Sequence, residues 1–254
     1  MIAELAAAID RRDRVVLATV VRTDRSVPRR AGSKMLVFTD GRTIGTVGGG
    51  AMEHRVTLEA ADVLAAGKPR LVSYELVDPS SGDPGVCGGS VDIYMEPYMP
   101  TPTIFIVGGG HVGKAVGELA QWLGFRSLIW DDREDLVSEL AQNEALGTPL
   151  TGEAGAALVE ASLTANDAIV LVSRNVALDV EIIPLALATS AGYVGLMGSI
   201  RRWQTTRSKL EELGLADLDL SRIHTPIGLE INAETPEEIA VSVLAEVTSH
   251  RRGG

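Results

Sequence analysis

The residues of this chain best suited to chemistry are Gly108, Gly110 and Gly113. They fit G-x-G-x-x-G directly after the apolar run Ile104-Phe105-Ile106-Val107. In that spacing the first glycine turns the chain off a buried strand and the second admits a phosphate close to the backbone. The third lets the following helix pack tightly on the sheet. A helix opening at His111 offers free N–H groups and a positive dipole end to an anion. Asp131, 18 residues past Gly113, stands where such a unit places an acid for a ribose hydroxyl. A Rossmann-shaped turn kept for another phosphate-bearing ligand fits the same residues.

Other groups could serve a ligand. Gly48-Gly49-Gly50 also joins a strand to a helix, with Glu53 on the first helical turn. It is either a second anion-facing turn or a tight junction whose acid favours the helix dipole. Cys87-Gly88-Gly89 sets a thiol between strands where glycines allow close backbone approach. A lone cysteine is more often a small buried hydrophobe, and the loop setting is what argues otherwise here. Ser26 to Lys34 carries Arg29, Arg30 and Lys34 in a loop with Pro28 and Gly32, a local reversal of charge that suits an anion. Ser173-Arg174-Asn175 and Gly198-Ser199-Ile200-Arg201-Arg202 follow two later strands and so share the carboxyl edge with Gly108. An exposed helix face is the plain alternative for Arg201, Arg202 and Arg207.

The elements that must position these groups follow from hydrophobic periodicity. Residues 2–12 read as an amphipathic helix with Ile2, Leu5, Ala6 and Ile9 on one face. Val15–Val21, Met35–Phe38, Ile44–Val47, Leu71–Leu76 and Val91–Met95 read as strands, with an Asp40-Gly41 hairpin. A helix over 51–66 presents Met52, Val56, Ala60, Val63 and Leu64 and stops at Gly67. Three prolines within 96–102 indicate an extended connector. Beyond it, strands at 104–107, 127–130, 168–172 and 193–196 alternate with helices, the pattern of a parallel sheet covered on both faces. Thr235, Pro236 and Glu238 open a last helix with a capping box, and Ile239, Val243 and Val247 form its stripe. The fold class is therefore α/β: a small N-terminal α+β module over 1–97, a Pro-rich linker over 98–102, and a Rossmann-like doubly wound parallel sheet domain over 103–254.

With 254 residues, 45% hydrophobic and 22% charged, the chain can bury a full core. A net charge of −11 and 4% aromatics argue against nucleic acid and anionic membranes as partners. The single cysteine excludes an internal disulfide and a CxxC metal knuckle. With no long apolar run and an acidic first turn, the expected location is cytoplasmic.

Taken in order, these motifs resemble the XdhC/CoxI family of accessory proteins for molybdenum hydroxylases such as xanthine dehydrogenase and carbon monoxide dehydrogenase. The likeness covers nearly the whole chain. It rests on Ser26-Val27-Pro28-Arg29, Gly32-Ser33-Lys34-Met35, Gly45 to Gly50 with Glu53, and Cys87-Gly88-Gly89 in the first half. In the second it rests on Gly108 to Gly113, Asp131-Asp132-Arg133, Tyr193 to Ser199, Pro226-Ile227-Gly228-Leu229 and Thr235 to Ala240. The resemblance implies a non-enzymatic homodimer that binds the molybdenum cofactor (molybdopterin). Such a protein shields the cofactor while a partner cysteine desulfurase installs its terminal sulfur, then passes it to the apo-hydroxylase. One triplet departs from the family pattern: Ser173-Arg174-Asn175 stands where a Thr-His-Asp-like sequence is usual, and a guanidinium there could clamp a phosphate.

The expected cofactor-binding set is Gly48, Gly49, Gly50, Glu53, Cys87, Gly88, Gly89, Gly108, Gly110, His111, Gly113, Asp131, Arg174, Ser199 and Arg201. Cys87 is also a candidate molybdenum contact, since a soft thiolate suits that metal. In this arrangement Gly108–Gly113 or Ser199 and Arg201 take the phosphate, and Cys87 with Gly48–Gly50 face the metal end across an interdomain cleft. The competing function is an NAD(P)-dependent oxidoreductase using the Rossmann turn, and a nucleotide such as NAD(P) could also sit on that half beside the molybdenum cofactor. Against an oxidoreductase, no Tyr-x-x-x-Lys and no local pair among His54, His111, His224 and His250 offers a proton donor. A third class is a plain nucleotide-sensing or scaffolding module.

Overall fold

Val15 to Val20 is an unbroken β-branched and apolar run, and it becomes the centre of an antiparallel sheet. The computed structural model describes residues 1–76 and 89–253. Cys87 and Gly88 lie outside the described residues. The chain divides into two units, Met1–Pro100 and Thr101–Gly254.

In the first unit β1 (Val15–Asp24) pairs with β2 (Lys34–Phe38) on one side and β5 (Ser90–Tyr98) on the other. β3 (Thr43–Gly45) and β4 (Arg70–Glu75) form the edges, giving the order β3-β2-β1-β5-β4. Helix α2 (Gly50–Ala66) lays Met52, Val56, Ala60, Val63 and Leu64 on one face of this sheet, against Val16, Ala18, Met35 and Ile93. These are the five residues its periodicity indicates, and Gly67 closes the helix in the left-handed conformation. Helix α1 (Ile2–Asp10) covers part of the other face, but through Leu5 and Ala8. Ile2 and Ile9 are exposed, so the expected stripe is displaced: the short helix leans on Val15, Leu17 and Phe38 with its Leu5 side.

The proline-rich segment also differs from expectation. Glu96, Pro97 and Tyr98 are not connector but the end of β5, opposite Leu17, Val16 and Val15. Pro97 is tolerated because β4 has already ended: its first residue, Arg70, lies opposite Met95.

The second unit is a six-stranded parallel sheet made of β6 (Thr103–Val107), β7 (Arg126–Trp130), β8 (Thr148–Leu150), β9 (Ala168–Leu171), β10 (Tyr193–Leu196) and β11 (Ile223–His224). Its order is β11-β10-β9-β6-β7-β8. Numbered within the unit this is 6-5-4-1-2-3, the doubly wound arrangement with its switch point between β6 and β9. Alternate residues feed two cores. Ile104 and Ile106 point toward α3 (His111–Trp122) and α8 (Pro236–Arg251). Phe105 and Val107 point toward α5 (Ala154–Ala161), α6 (Val176–Leu187) and α7 (Ile200–Glu212). Strand β6 is buried along its whole length, as a central parallel strand must be. The last helix opens with the Thr235–Glu238 capping box and Pro236 in its first turn. The short edge strands β8 and β11 have no clear sequence signal.

The glycine turn is what joins β6 to α3. Gly108 has φ +113°, and a Cβ there would lie 2.8 Å from the carbonyl oxygen of Val172 beyond β9. A Cβ on Gly113 would collide with the carbonyl oxygen of Gly108. Because that neighbour is backbone, Gly113→Ala is expected to cost about 3 kcal/mol or more, at the upper end of overpacking penalties. Chemical denaturation checks this, and an unchanged midpoint contradicts the packing role.

Candidate functional site

Every site residue expected in the second half gathers at the carboxyl edge of the parallel sheet. Gly108–Gly113 leads from β6 into α3, Asp131 follows β7, Arg174 follows β9, and Ser199 with Arg201 follows β10. The turn at α3 is open where a ligand would need it. Gly110 sits at the helix N-cap with φ −69°, and a Cβ added there would meet nothing within 4 Å. His111 is exposed beside it.

The acids and cations around the turn are largely engaged with one another. Asp131 is buried and accepts from the Gly109 N–H (2.7 Å) and the Arg133 N–H (3.0 Å). It also accepts from Nε (2.8 Å) and Nη2 (2.9 Å) of Arg133. Burial alone would raise its pKa, but the Arg133 guanidinium and the Gly109 and Arg133 N–H groups outweigh it and hold the carboxyl at about 2. Both oxygens are therefore filled by protein donors. The expected ribose-holding acid instead fixes the Gly109 N–H and hence the turn.

The triplet Ser173-Arg174-Asn175 separates into three local roles. Ser173 is buried and donates to Asp179, a fully buried carboxylate in α6 that also pairs with Arg202 at 2.7 Å. Arg202 Nη2 donates further to the Ser173 hydroxyl and carbonyl, at 2.7 Å and 3.1 Å. Arg174 makes a two-pronged pair with Asp132 at 2.5 and 2.7 Å, on the solvent side. Asn175 caps α6 by accepting from the Leu178 N–H. Ser199 caps α7, accepting from the Arg202 N–H at 3.2 Å. Arg201 is exposed, with no side-chain partner among the described residues, whereas Arg207 pairs with Glu211 at 3.0 Å.

The buried Ser173–Asp179–Arg202 cluster lies outside the expected site residues. Its signal was nonetheless present: Asp179 falls at the spacing of Ile182, Ile183 and Ala186 on the apolar side of α6, where an acid needs a partner.

In the first unit the motifs also converge, at one end of the antiparallel sheet. A Cβ on Gly48 would lie 3.0 Å from Pro28, and a Cβ on Gly89 would lie 2.5 Å from the Ser26 carbonyl. The loop after β1, the Gly48–Gly50 turn and Gly89 are thus neighbours. Arg29 and Arg30 project from that loop into solvent. Lys34 does not join them: its Nζ donates to Thr19 on the sheet, at 3.1 Å.

The Gly48–Gly50 turn differs from its counterpart at Gly108. Glu53 folds back from the first turn of α2 and accepts from the Thr46 hydroxyl (2.5 Å), the Val47 N–H (3.1 Å) and the Gly49 N–H (2.9 Å). Burial would raise the Glu53 pKa, yet the Thr46 hydroxyl and the N–H groups of Gly49, Val47 and Gly48 lower it. The protein's own carboxylate occupies donors that an outside anion would use. Among the described residues no group of three His, Cys, Asp or Glu could hold a metal ion. No helix among them is long and apolar enough to cross a membrane.

The second unit is thus a Rossmann-type domain whose glycine turn is open at Gly110 and whose strand-end acid, Asp131, is engaged by protein donors. Residues 104–247 match the model of the XdhC Rossmann domain, and residues 8–75 match that of the XdhC and CoxI family. The chain belongs to the XdhC/CoxI family. The Escherichia coli K12 protein YqeB is 35% identical over 233 residues, which are 91% of this chain and 42% of YqeB. This chain therefore spans less than half of that relative's length. The molybdenum cofactor insertion chaperone PaoD of Escherichia coli K12 is 25% identical over 264 residues, covering 93% of this chain and 83% of PaoD. A solved Bacillus halodurans structure described as a xanthine dehydrogenase shares the fold, with TM-score 0.51 at 20% identity. That match covers 98% of this chain and 95% of the other.

The Asp131 arrangement has a pH consequence. A carboxyl held at about 2 rather than its usual 3.8 adds stability that is full above about pH 4 and is lost as pH falls through 2. Asp131→Asn is expected to destabilise by about 2 kcal/mol at neutral pH. The gap to the parent protein should close between pH 4 and pH 2 in denaturant titrations. A gap independent of pH over that range contradicts the assignment.

Proposed function

We propose that this protein is a maturation chaperone for a molybdenum hydroxylase. It binds the molybdenum cofactor, protects it, and delivers it to an apo-hydroxylase of the xanthine dehydrogenase or carbon monoxide dehydrogenase type. The observation that carries this reading is the open Gly108–Gly113 turn at the switch point of a domain matched by the XdhC Rossmann model. The relationship to PaoD supports it. The residues present fit a phosphate-bearing group: Gly110 leaves room beside the α3 N-terminus, and Arg201 supplies an unengaged guanidinium on the same edge. When bound, the cofactor supplies the molybdenum centre that the hydroxylase uses.

In this proposal the Gly110–Gly113 backbone binds the phosphate, and His111, Ser199 and Arg201 flank it. Arg174 can exchange Asp132 for an incoming anion, since that pair faces solvent. Cys87 is the proposed soft contact to the metal, with Gly88 and Gly89 following it in sequence. Glu53 and Gly48–Gly50 keep a supporting role, holding the loop end that carries Arg29 and Arg30. A homodimer, exchange with a cysteine desulfurase and a cytoplasmic location complete the proposal. An NAD(P)-dependent reaction is disfavoured by the saturation of Asp131 with protein donors.

The test uses the full chain isolated from a host that makes molybdopterin. Acid–iodine oxidation reports retained pterin by fluorescence, and a metal assay reports molybdenum. Gly110→Asp suits the N-cap geometry and has room for its side chain. It also places a carboxylate over the helix N-terminus, so retained pterin should fall at least tenfold with the fold intact. Cys87→Ser should lower molybdenum while leaving pterin in place. Undiminished retention in both variants defeats the assignment. Tight NADH binding with turnover of a carbonyl substrate would replace it with the oxidoreductase.

A further inference from the structure

The carboxyl end of β10 carries a hollow where three of the motifs, Tyr193 to Ser199, Pro226 to Leu229 and Thr235 to Ala240, meet. After Leu196 the chain makes one more sheet contact, from the Met197 N–H to the Leu171 carbonyl (2.8 Å), and then leaves the strand. The Ile227 N–H returns to the Leu196 carbonyl at 3.1 Å, so the loop after β11 lies directly over this strand end. That loop is pinned at both of its ends. Near the start, the Gly228 N–H donates to Glu246 (2.5 Å), the Leu229 N–H donates to the Ser242 carbonyl, and the Ser242 hydroxyl donates to the Leu229 carbonyl. Near the end, the Glu234 and Thr235 N–H groups both donate to Glu238.

Between these anchors, Asn232 adopts φ +56°, and Leu229 and Ile231 remain 46% and 47% exposed. Both side chains line an open hollow of about 360 Å³. Met197 and Ile239 line it too, and Glu230 and Asn232 supply its polar groups. The Glu230 carboxylate has no partner among the described residues.

At about 360 Å³ the hollow lies at the small end of the range of small-ligand pockets, about 300–1,000 Å³, a size that suits a single fused ring. Its walls suit a flat ring, with aliphatic and thioether groups for the faces and a carboxylate for an edge rich in N–H donors. Its place is also suitable. β10 is separated from β6 by β9 alone, so the two strands whose ends carry the hollow and the Gly108 turn run about 10 Å apart, two strand spacings. A phosphorylated bicyclic heterocycle can bridge such a separation.

We propose that this hollow is the ring subsite of the ligand whose phosphate rests at Gly110–Gly113, and that it takes an aminopyrimidinone-fused ring of the pterin class. Glu230 accepts from the donor edge of that ring, while Met197 and Ile231 close on its faces. The inference rests on the cofactor-binding reading and adds to it which residues read the ring.

The test separates the two. 6-Hydroxymethylpterin, which carries the ring without phosphate or metal, is titrated into the full chain and followed by its fluorescence. Molybdopterin retention is measured in parallel. Glu230→Gln should weaken hydroxymethylpterin binding on the order of tenfold, the loss of a charge-assisted hydrogen bond. Ile231→Ala, at an exposed position, should weaken it several-fold, and thermal unfolding should show both variants folded. Gly110→Asp should leave hydroxymethylpterin binding intact while lowering molybdopterin retention at least tenfold. If the parent protein retains molybdopterin but binds no hydroxymethylpterin, or binds it equally well in both loop variants, the ring subsite is overturned and the chaperone reading stands. If it binds hydroxymethylpterin through Glu230 yet retains no molybdopterin, the subsite stands and the chaperone reading falls.

Discussion

A side chain that cannot be present governs the second unit. The Gly108 carbonyl occupies the space a Cβ on Gly113 would need, and Gly108 itself lies against the Val172 backbone. These two approaches bring α3 down onto the sheet at the switch point between β6 and β9. They fix where the helix begins, and with it the direction of the N–H groups at Gly110 and beyond. The Gly109 N–H is held by Asp131 and the Asp131 carboxylate by Arg133, so the turn is braced from the neighbouring strand as well. Everything else at the edge is arranged around a turn that backbone contact has already set.

The two glycine turns show how similar sequence can have opposite consequences. At Gly48–Gly50, Glu53 lies one turn into the helix and reaches back to the backbone donors, so the junction is satisfied from within. At Gly108–Gly113 the corresponding carboxylate comes from the next strand and reaches only the Gly109 N–H among the turn's donors. The first turn is closed by its own acid, whereas the second stays accessible at Gly110. Glycine content alone does not distinguish them. The origin and reach of the nearest carboxylate does.

Much of this architecture was legible because its determinants are local. The five-residue face of α2, the Gly67 stop, the Thr235 capping box and the four central parallel strands each follow from spacing within one segment. What escaped depends on partners far along the chain. The β-character of Glu96–Tyr98 required β1 opposite and β4 already ended, which no local reading of three prolines contains. α1 buries Leu5 and Ala8 because of which residues of β1 and β2 it meets, not because of its own moment. The place of Asp131 after β7 is local, whereas its hydrogen bond with Gly109, from across the turn, depends on the fold. The ring-sized hollow was invisible for the same reason, since Met197, Ile231 and Ile239 come from three separate segments.

Charge distribution bears on what kind of binder this is. The first unit holds 12 Lys and Arg against 13 Asp and Glu, the second 11 against 21, so nearly all of the net −11 lies on the Rossmann half. An anionic ligand therefore meets long-range repulsion there, and most nearby cations (Arg133, Arg174 and Arg202) are already paired. In the proposed chaperone, retention would rest on short-range backbone donors at the α3 turn and on shape, both effective inside a Debye length of about 8 Å. A binder built this way holds its ligand only while the ligand stays seated, and the surrounding field assists departure once contact is lost. Under the chaperone proposal, such a field would favour release of an anionic cargo to another protein.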